Sequence, residues 1–388
     1  MLLSNTIIAS ILATLAVAAP ATSKVLELPV TRHKNPNKNH SQYLEHLSTP
    51  QVTVTNKEYW YSVSLKLGTP AQDFNVLLDT GSSDLWVYSS KDKTDCDNGN
   101  CDFTGQFNAA LSSTYHFLNN DFSINYVGGT SSGSWGTDTL QIAGATLKNM
   151  QFAAADNAGG GQGILGVSFR STESTQDNYD NFPLKLKDDG YIDRTVFSLY
   201  LDDIKASTGK LLFGGVDKAK YEGDLAVLPL TESGSFQVAY SGISINGKSY
   251  GNGGNAVLDS GTSYTYVDTE AFEQMNQRLN FQGQDESTGL PIIDCNSNQD
   301  VTFHFDGKDI VAPSSQMVIP LSELLQDSSQ TQCVFGIQTS DSTQGYILFG
   351  DTFLRAAYVV YDLDKNEVGI AQAKYTSESD IQPVSGDL

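Results

Sequence analysis

The chain has 388 residues, a formal charge of −22, 39% apolar residues and 34 glycines. That length can hold two domains with cores of their own, and the abundance of Gly, Thr and Ser favours β-rich globular structure over disorder. Residues 1–50 are net positive, so the rest is more acidic still. This argues against nucleic acid or an anionic membrane as partner, and suits either an acidic medium or solubility alone.

The chain opens with an apolar run, Ile7 to Val17, that ends in Ala16-Val17-Ala18. This reads as a secretory signal peptide over residues 1–18 with an A-x-A cleavage site, too short for a membrane anchor, although the first six residues lack Lys and Arg. Residues 19–50 are polar and basic and hold His33, His40 and His46, three of the five histidines. A flexible tail is the plain reading. A removable propeptide is the sharper one, because a basic peptide suits an acidic body. Asn39-His40-Ser41 is the only N-glycosylation sequon and makes Asn39 the glycosylation candidate.

From Glu58 the pattern turns to alternation and tight turns. Tyr59–Leu65 reads as a strand, Gly68-Thr69-Pro70 as a turn, and Phe74–Leu78 as a strand entering Asp79-Thr80-Gly81-Ser82. Leu85–Tyr88 leaves that loop as a strand. Phe122–Val127 and Ser134–Leu140 flank Gly128-Gly129 and predict a β-hairpin with a Gly-Gly tip. Helical periodicity is confined to Glu270–Asn280 and Pro320–Leu325. The tail, residues 376–388, is polar and acidic. Cys96, Cys101, Cys295 and Cys333 allow three pairings, of which Cys96–Cys101 with Cys295–Cys333 keeps one bridge in each half.

The second half repeats the first. Val257-Leu258-Asp259-Ser260-Gly261-Thr262 restates Leu77-Leu78-Asp79-Thr80-Gly81-Ser82, 180 residues on. Each loop is followed by an apolar-apolar-Gly unit at matched distance: Asp79 to Gly166 spans 87 residues and Asp259 to Gly350 spans 91. The chain is therefore an internal duplication, divided at about 51–225 and 226–375, with the halves joined by strands. A buried Asp between apolar strands is costly unless partnered, so two such loops suggest two carboxyls brought to one place. Like charges about 4 Å apart repel by roughly 4 kcal/mol at an effective dielectric near 20, so such a pair shares a proton and offers an acid and a base together. That pair can activate a water and protonate a leaving amine.

Competing motifs are weaker. Gly129-Thr130-Ser131-Ser132-Gly133 matches a serine-hydrolase elbow, but strand residues lie on both sides of it. Gly161-Gln162-Gly163-Ile164-Leu165-Gly166 matches a dinucleotide fingerprint with no helix pattern after it. No metal-ligand cluster is recognisable, so no metal and no cofactor are expected.

The two Asp loops, the hairpin, the Gly-bearing units and the cysteine layout resemble the pepsin-like aspartic proteases over residues 55–375, and most resemble the secreted fungal members of the candidapepsin and yapsin kind. The resemblance implies an all-β, bilobal fold of two duplicated β-barrel-like lobes with the cleft between them. It implies an endopeptidase made as a zymogen, with Asp79 and Asp259 as the dyad. Thr80 and Ser260 would interlock the halves, Gly81 and Gly261 would allow the turns, and Ser82 and Thr262 would bond the outer carboxylate oxygens. Tyr126 would be the flap tyrosine with Trp86 as its partner, Gly128 would lie at the flap, and Leu77 and Ile164 would line the main apolar pocket. Val127 departs from the pattern, standing where Gly is usual. The partners implied are polypeptide substrates and the protein's own propeptide, with no nucleic acid and no membrane anchor, and the protein a monomer. No Lys-Arg pair precedes Gln51, which points to self-cleavage in acid. The rival reading is a catalytically silent binding protein on the same scaffold, but this chain keeps both Asp residues and their hydroxyl neighbours.

Overall fold

The computed structural model describes residues 25–34, 59–92, 96, 101–126, 129–159 and 162–388. The expected signal peptide, Asn39, Val127 and Gly128 lie outside them. In chain order the first strands are β1 (Leu26–Lys34), β2 (Tyr59–Leu67), β3 (Gln72–Asp79), β4 (Leu85–Tyr88), β5 (His116–Tyr126), β6 (Gly129–Ile142), β7 (Ala145–Asn157), β8 (Ile164–Gly166), β9 (Val196–Tyr200) and β10 (Thr208–Phe213). β3 shows why they form: one face is buried along its first half, and its last four residues are buried on both faces as it runs into the interior.

One 13-stranded sheet carries both halves. Its order is Tyr221–Pro229, Glu367–Ala373, Ala357–Asp362, β9, β10, β1, β2, β3, β8, β4, β7, β6, β5. The remaining second-half strands form separate sheets of five, four and three strands, and Ile381–Pro383 from the tail pairs with Gly215–Asp217. The expectation of two β-barrel-like lobes is thus corrected: the molecule is largely β-sheet, and its sheets are open. β2 does touch β6, through Lys66–Gln141 and Leu67–Leu140, which folds the large sheet back at one corner. A barrel needs strand number, tilt and stagger to agree all round. Second-half strands as short as Ile292–Ile293 and Leu348–Phe349, interrupted by helices, end their pairing too soon for that. Alternation in a sequence marks a strand but not whether its sheet closes.

The helix Thr269–Leu279 falls where periodicity placed one; Asp268 caps it by accepting from Ala271 N at 2.9 Å, and Asn280 ends it in the left-handed region. Gly129–Gly133 lies inside continuous β6 and so makes no strand-turn-helix elbow. β1, from the expected propeptide, fills a central place between β10 and β2, with Leu28 and Val30 buried.

The largest apolar cluster is continuous across the halves. An aromatic row crosses beneath the two Asp loops: Phe169 meets Phe236 at 4.8 Å between ring centres, Phe236 meets Tyr361 at 4.7 Å, and Tyr361 stacks on Phe197 at 4.7 Å. Burial of each such ring contributes about 1.5–3 kcal/mol. The row gives the two loops a common floor.

Candidate active site

β3 delivers Asp79 and strand Gly254–Leu258 delivers Asp259, each at the end of a fully buried apolar run. Each delivering strand has a parallel neighbour, β8 beside β3 and Leu348–Phe349 beside Gly254–Leu258. The glycine ending each neighbouring unit is a site of close approach. A Cβ on Gly166 would lie 2.6 Å from Asp84 N, and one on Gly350 would lie 2.2 Å from Thr262 O. Only Gly fits there, which explains the recurring apolar-apolar-Gly unit.

The loops are held alike. Gly81 N donates to Asp79 Oδ1 at 2.8 Å and Gly261 N to Asp259 Oδ1 at 2.8 Å. Ser82 Oγ donates to Asp79 Oδ2, and Thr262 Oγ1 to Asp259 Oδ2 at 2.5 Å. The two loops also lock to each other. Thr80 Oγ1 donates to Leu258 O at 2.8 Å and accepts from Ser260 N at 2.9 Å. Ser260 Oγ donates to Leu78 O at 3.0 Å and accepts from Thr80 N at 3.2 Å. Both carboxyls are fully buried, and Asp79 is within hydrogen-bonding reach of Asp259. Burial first, and the neighbouring Asp79 charge second, push Asp259 well above the usual carboxylate range. A proton is therefore retained between two inward-facing acids, an arrangement that supplies a general acid and a general base.

The model of the eukaryotic aspartyl protease family matches residues 60–373. The chain belongs to that family. Candidapepsin-3 of Candida albicans (strain WO-1) is 36% identical, over 98% of this chain and 99% of that protein. Candidapepsin of Candida tropicalis is 37% identical over 93% and 91% of the two chains. Secreted aspartic protease 6 of Candida albicans is 34% identical over 86% and 81%. This is an aspartic protease of the pepsin-like, fungal kind, acting through an Asp dyad.

Around the protease's two acids the other expected residues fall as follows. Tyr126 ends β5 and pairs with Gly129 across the hairpin; its hydroxyl accepts from Trp86 Nε1 at 2.9 Å. Burial, then the Asp79 and Asp84 charges, raise the Tyr126 phenol well above its usual range, so it stays neutral. Leu77 and Ile164 are register partners, each nearly sealed from solvent. Cys96 is bonded to Cys101 and Cys295 to Cys333. Among the described residues no cluster of three or more His, Cys, Asp or Glu could hold a metal, and no helix is long and apolar enough to cross a membrane.

Asp84, Glu173 and Tyr179, which sequence reasoning passes over, stand behind the first loop. Asp84 is fully buried, accepting from Tyr179 Oη at 2.8 Å and from Ser174 N at 2.9 Å. Glu173 accepts from Tyr179 N at 2.9 Å. The available signal was Asp84 itself, five residues after Asp79 and directly before the apolar strand Leu85–Tyr88.

Proposed function

We propose that Asp79 and Asp259 are the two carboxyls of this protease's dyad, and that it cleaves extended polypeptides lying between its halves at acidic pH. The observation that carries the reading is the mirror-related set of donors on the two carboxyls, combined with their mutual reach. One carboxylate takes a proton from a water as its oxygen attacks the peptide carbonyl carbon. The protonated partner gives its proton toward the carbonyl oxygen, and the leaving nitrogen is then protonated from the dyad as the C–N bond breaks. Gly81 and Gly261, with Ser82 and Thr262, hold the carboxyls in plane. Thr80 and Ser260 fix their separation by tying the halves together.

Tyr126, with Trp86, forms the hairpin wall over the substrate, while Leu77 and Ile164 bound an apolar side-chain pocket; the expected part of Gly128 falls outside the described residues. Residues 1–18 direct secretion, in keeping with relatives named secreted aspartic proteases, 19–50 are the propeptide, and 51–225, 226–375 and 376–388 are the two lobes and the tail. β1 supports a propeptide that is part of the fold, since it pairs with six residues of β10 and four of β2. Its removal exposes the edges of β10 and β2. The test is cleavage of a peptide library by the secreted protein, with and without a statine-type inhibitor. Cuts that persist in folded Asp79→Asn protein sink the assignment.

A further inference from the structure

A second pair of acids lies just behind the first Asp loop, and nothing in the dyad chemistry uses it. Loop Phe169–Tyr179 is stitched to residues 82–84 at successive points. Ser168 N donates to Ser82 O at 2.9 Å, Ser83 Oγ to Phe169 O at 2.6 Å, and Asp84 accepts from Ser174 N and Tyr179 Oη. Ser82 in turn bonds Asp79, and Trp86, two residues beyond Asp84, holds Tyr126. Glu173 closes the stitch through Tyr179 N, while its Oε1 is buried with no hydrogen-bond partner among the described residues.

We propose that Asp84 and Glu173 are a positioning pair for peptide hydrolysis, clamping the Phe169–Tyr179 loop to the first Asp loop through their contacts with Ser174 and Tyr179. The clamp depends on Glu173 being neutral. The surroundings explain the dependence. Glu173 faces Asp84 from the end of the first Asp loop, and Arg170, Tyr179 and Asp180 from its own loop. Asp84 faces Ser174 and Tyr179, and its charge reaches Tyr126 on the hairpin. Arg170, the one cation among the described residues whose charge acts on Glu173, is already engaged by Asp180 Oδ1 at 3.3 Å and Asn178 O at 3.0 Å. Burial foremost, then the Asp84 charge against the opposing Tyr179 N–H, raises Glu173 to about 8, and burial also raises Asp84. When Glu173 ionises, a desolvated anion with an unpartnered oxygen arises beside Asp84 and pushes the loop outward. Ser82 and Trp86 then lose their backing, and Asp79 and Tyr126 lose their fixed positions.

Folded Glu173 holds its proton more tightly than unfolded Glu173. Its contribution to stability is therefore full below the ordinary Glu range and lost as pH rises toward about 8.

The inference rests on the protease reading, so its test has one readout tied to activity and one that is not. Glu173→Gln keeps an oxygen for Tyr179 N and cannot ionise. Its kcat in the acidic working range therefore matches that of wild type, whereas Glu173→Ala, which leaves Tyr179 N without its acceptor, lowers kcat about tenfold with KM little changed. The melting temperature of E173Q also falls less steeply with pH. Independently of turnover, ¹³C-glutamate NMR of the wild-type protein finds one carboxyl that titrates far above the others and is missing in E173Q. If E173Q does not fold, that wild-type resonance decides the matter alone. Ordinary titration of every glutamate overturns the proposal whatever the activity shows. An unchanged kcat in folded Glu173→Ala overturns the positioning role even if the resonance is found.

Discussion

The two Asp loops share one skeleton and differ in what stands behind them. Asp79–Ser82 and Asp259–Thr262 bind their carboxyls through the same Gly N–H and the same hydroxyl position. Five residues on, the first half buries Asp84 and the second buries Tyr264. After the close-approach glycine the pattern reverses, with Val167 in the first half and Asp351 in the second. At these two matched positions each half hides one acid, in opposite places. Asp351 is pushed up by burial but opposed by the charges of Arg355 and Arg32, whereas Asp84 has only the neutral donors of Ser174 and Tyr179. The two halves keep alike the groups that bond the two carboxyls, and differ in the backing behind them.

The largest effects test the shared part. Asp79→Asn and Asp259→Asn should each lower kcat by about 10³-fold or more, because either change ends the sharing of a proton. Hydrolysis of an internally quenched peptide by the folded variants measures this. A residual rate in one variant near that of the wild type would break the symmetry at its centre.

Next comes the backbone crossing. Gly350→Ala should cost about 3 kcal/mol or more and Gly166→Ala somewhat less, since an added Cβ meets backbone atoms at 2.2 Å in one and 2.6 Å in the other. Denaturant unfolding gives both values. Small shifts in both would mean that the loops slide past their neighbours freely.

The interlock is weaker. Ser260→Ala leaves two buried backbone groups, Leu78 O and Thr80 N, without this partner, at about 2–3 kcal/mol, and Thr80→Val leaves Ser260 N so while Leu258 O keeps Tyr361 Oη at 3.4 Å, at about 1–2 kcal/mol. Because the two hydroxyls serve one network, the double variant should lose less than the sum. Strict additivity in the same unfolding experiment would mean that the loops are tied independently.

How much of this was legible follows the same division. The Asp loops were readable because hydroxyl-flanked acids between apolar strands are chemically costly and recur at matched spacing. The glycines after Leu165 and Phe349 were readable as markers, although the reason for them, a backbone crossing, is a tertiary fact. The open sheets were not readable, because edge pairing depends on partners distant in sequence. Nor was the place of β1 in the central sheet, since a short basic segment rich in polar residues carries little period. Glu173 lies among Ser, Thr, Asp and Asn, where a surface loop is the natural reading. Only its neighbours in space make it a buried acid.

The smallest effect concerns the first half's hairpin that carries Tyr126. Tyr126→Phe removes one hydroxyl and leaves the ring in its buried seat, so packing is kept and the Trp86 indole N–H loses its acceptor. An unmet buried donor costs about 1–2 kcal/mol. If the hairpin shuts over substrate, that cost falls on the closed state in which water is excluded, and kcat should drop about tenfold while the melting temperature hardly moves. Tyr126→Ala removes the ring as well and should lower kcat further, again by more than its loss of stability accounts for. Matched losses of turnover and stability in both variants would make Tyr126 a core residue like Phe122 beside it, and the difference between the halves would then be one of packing alone.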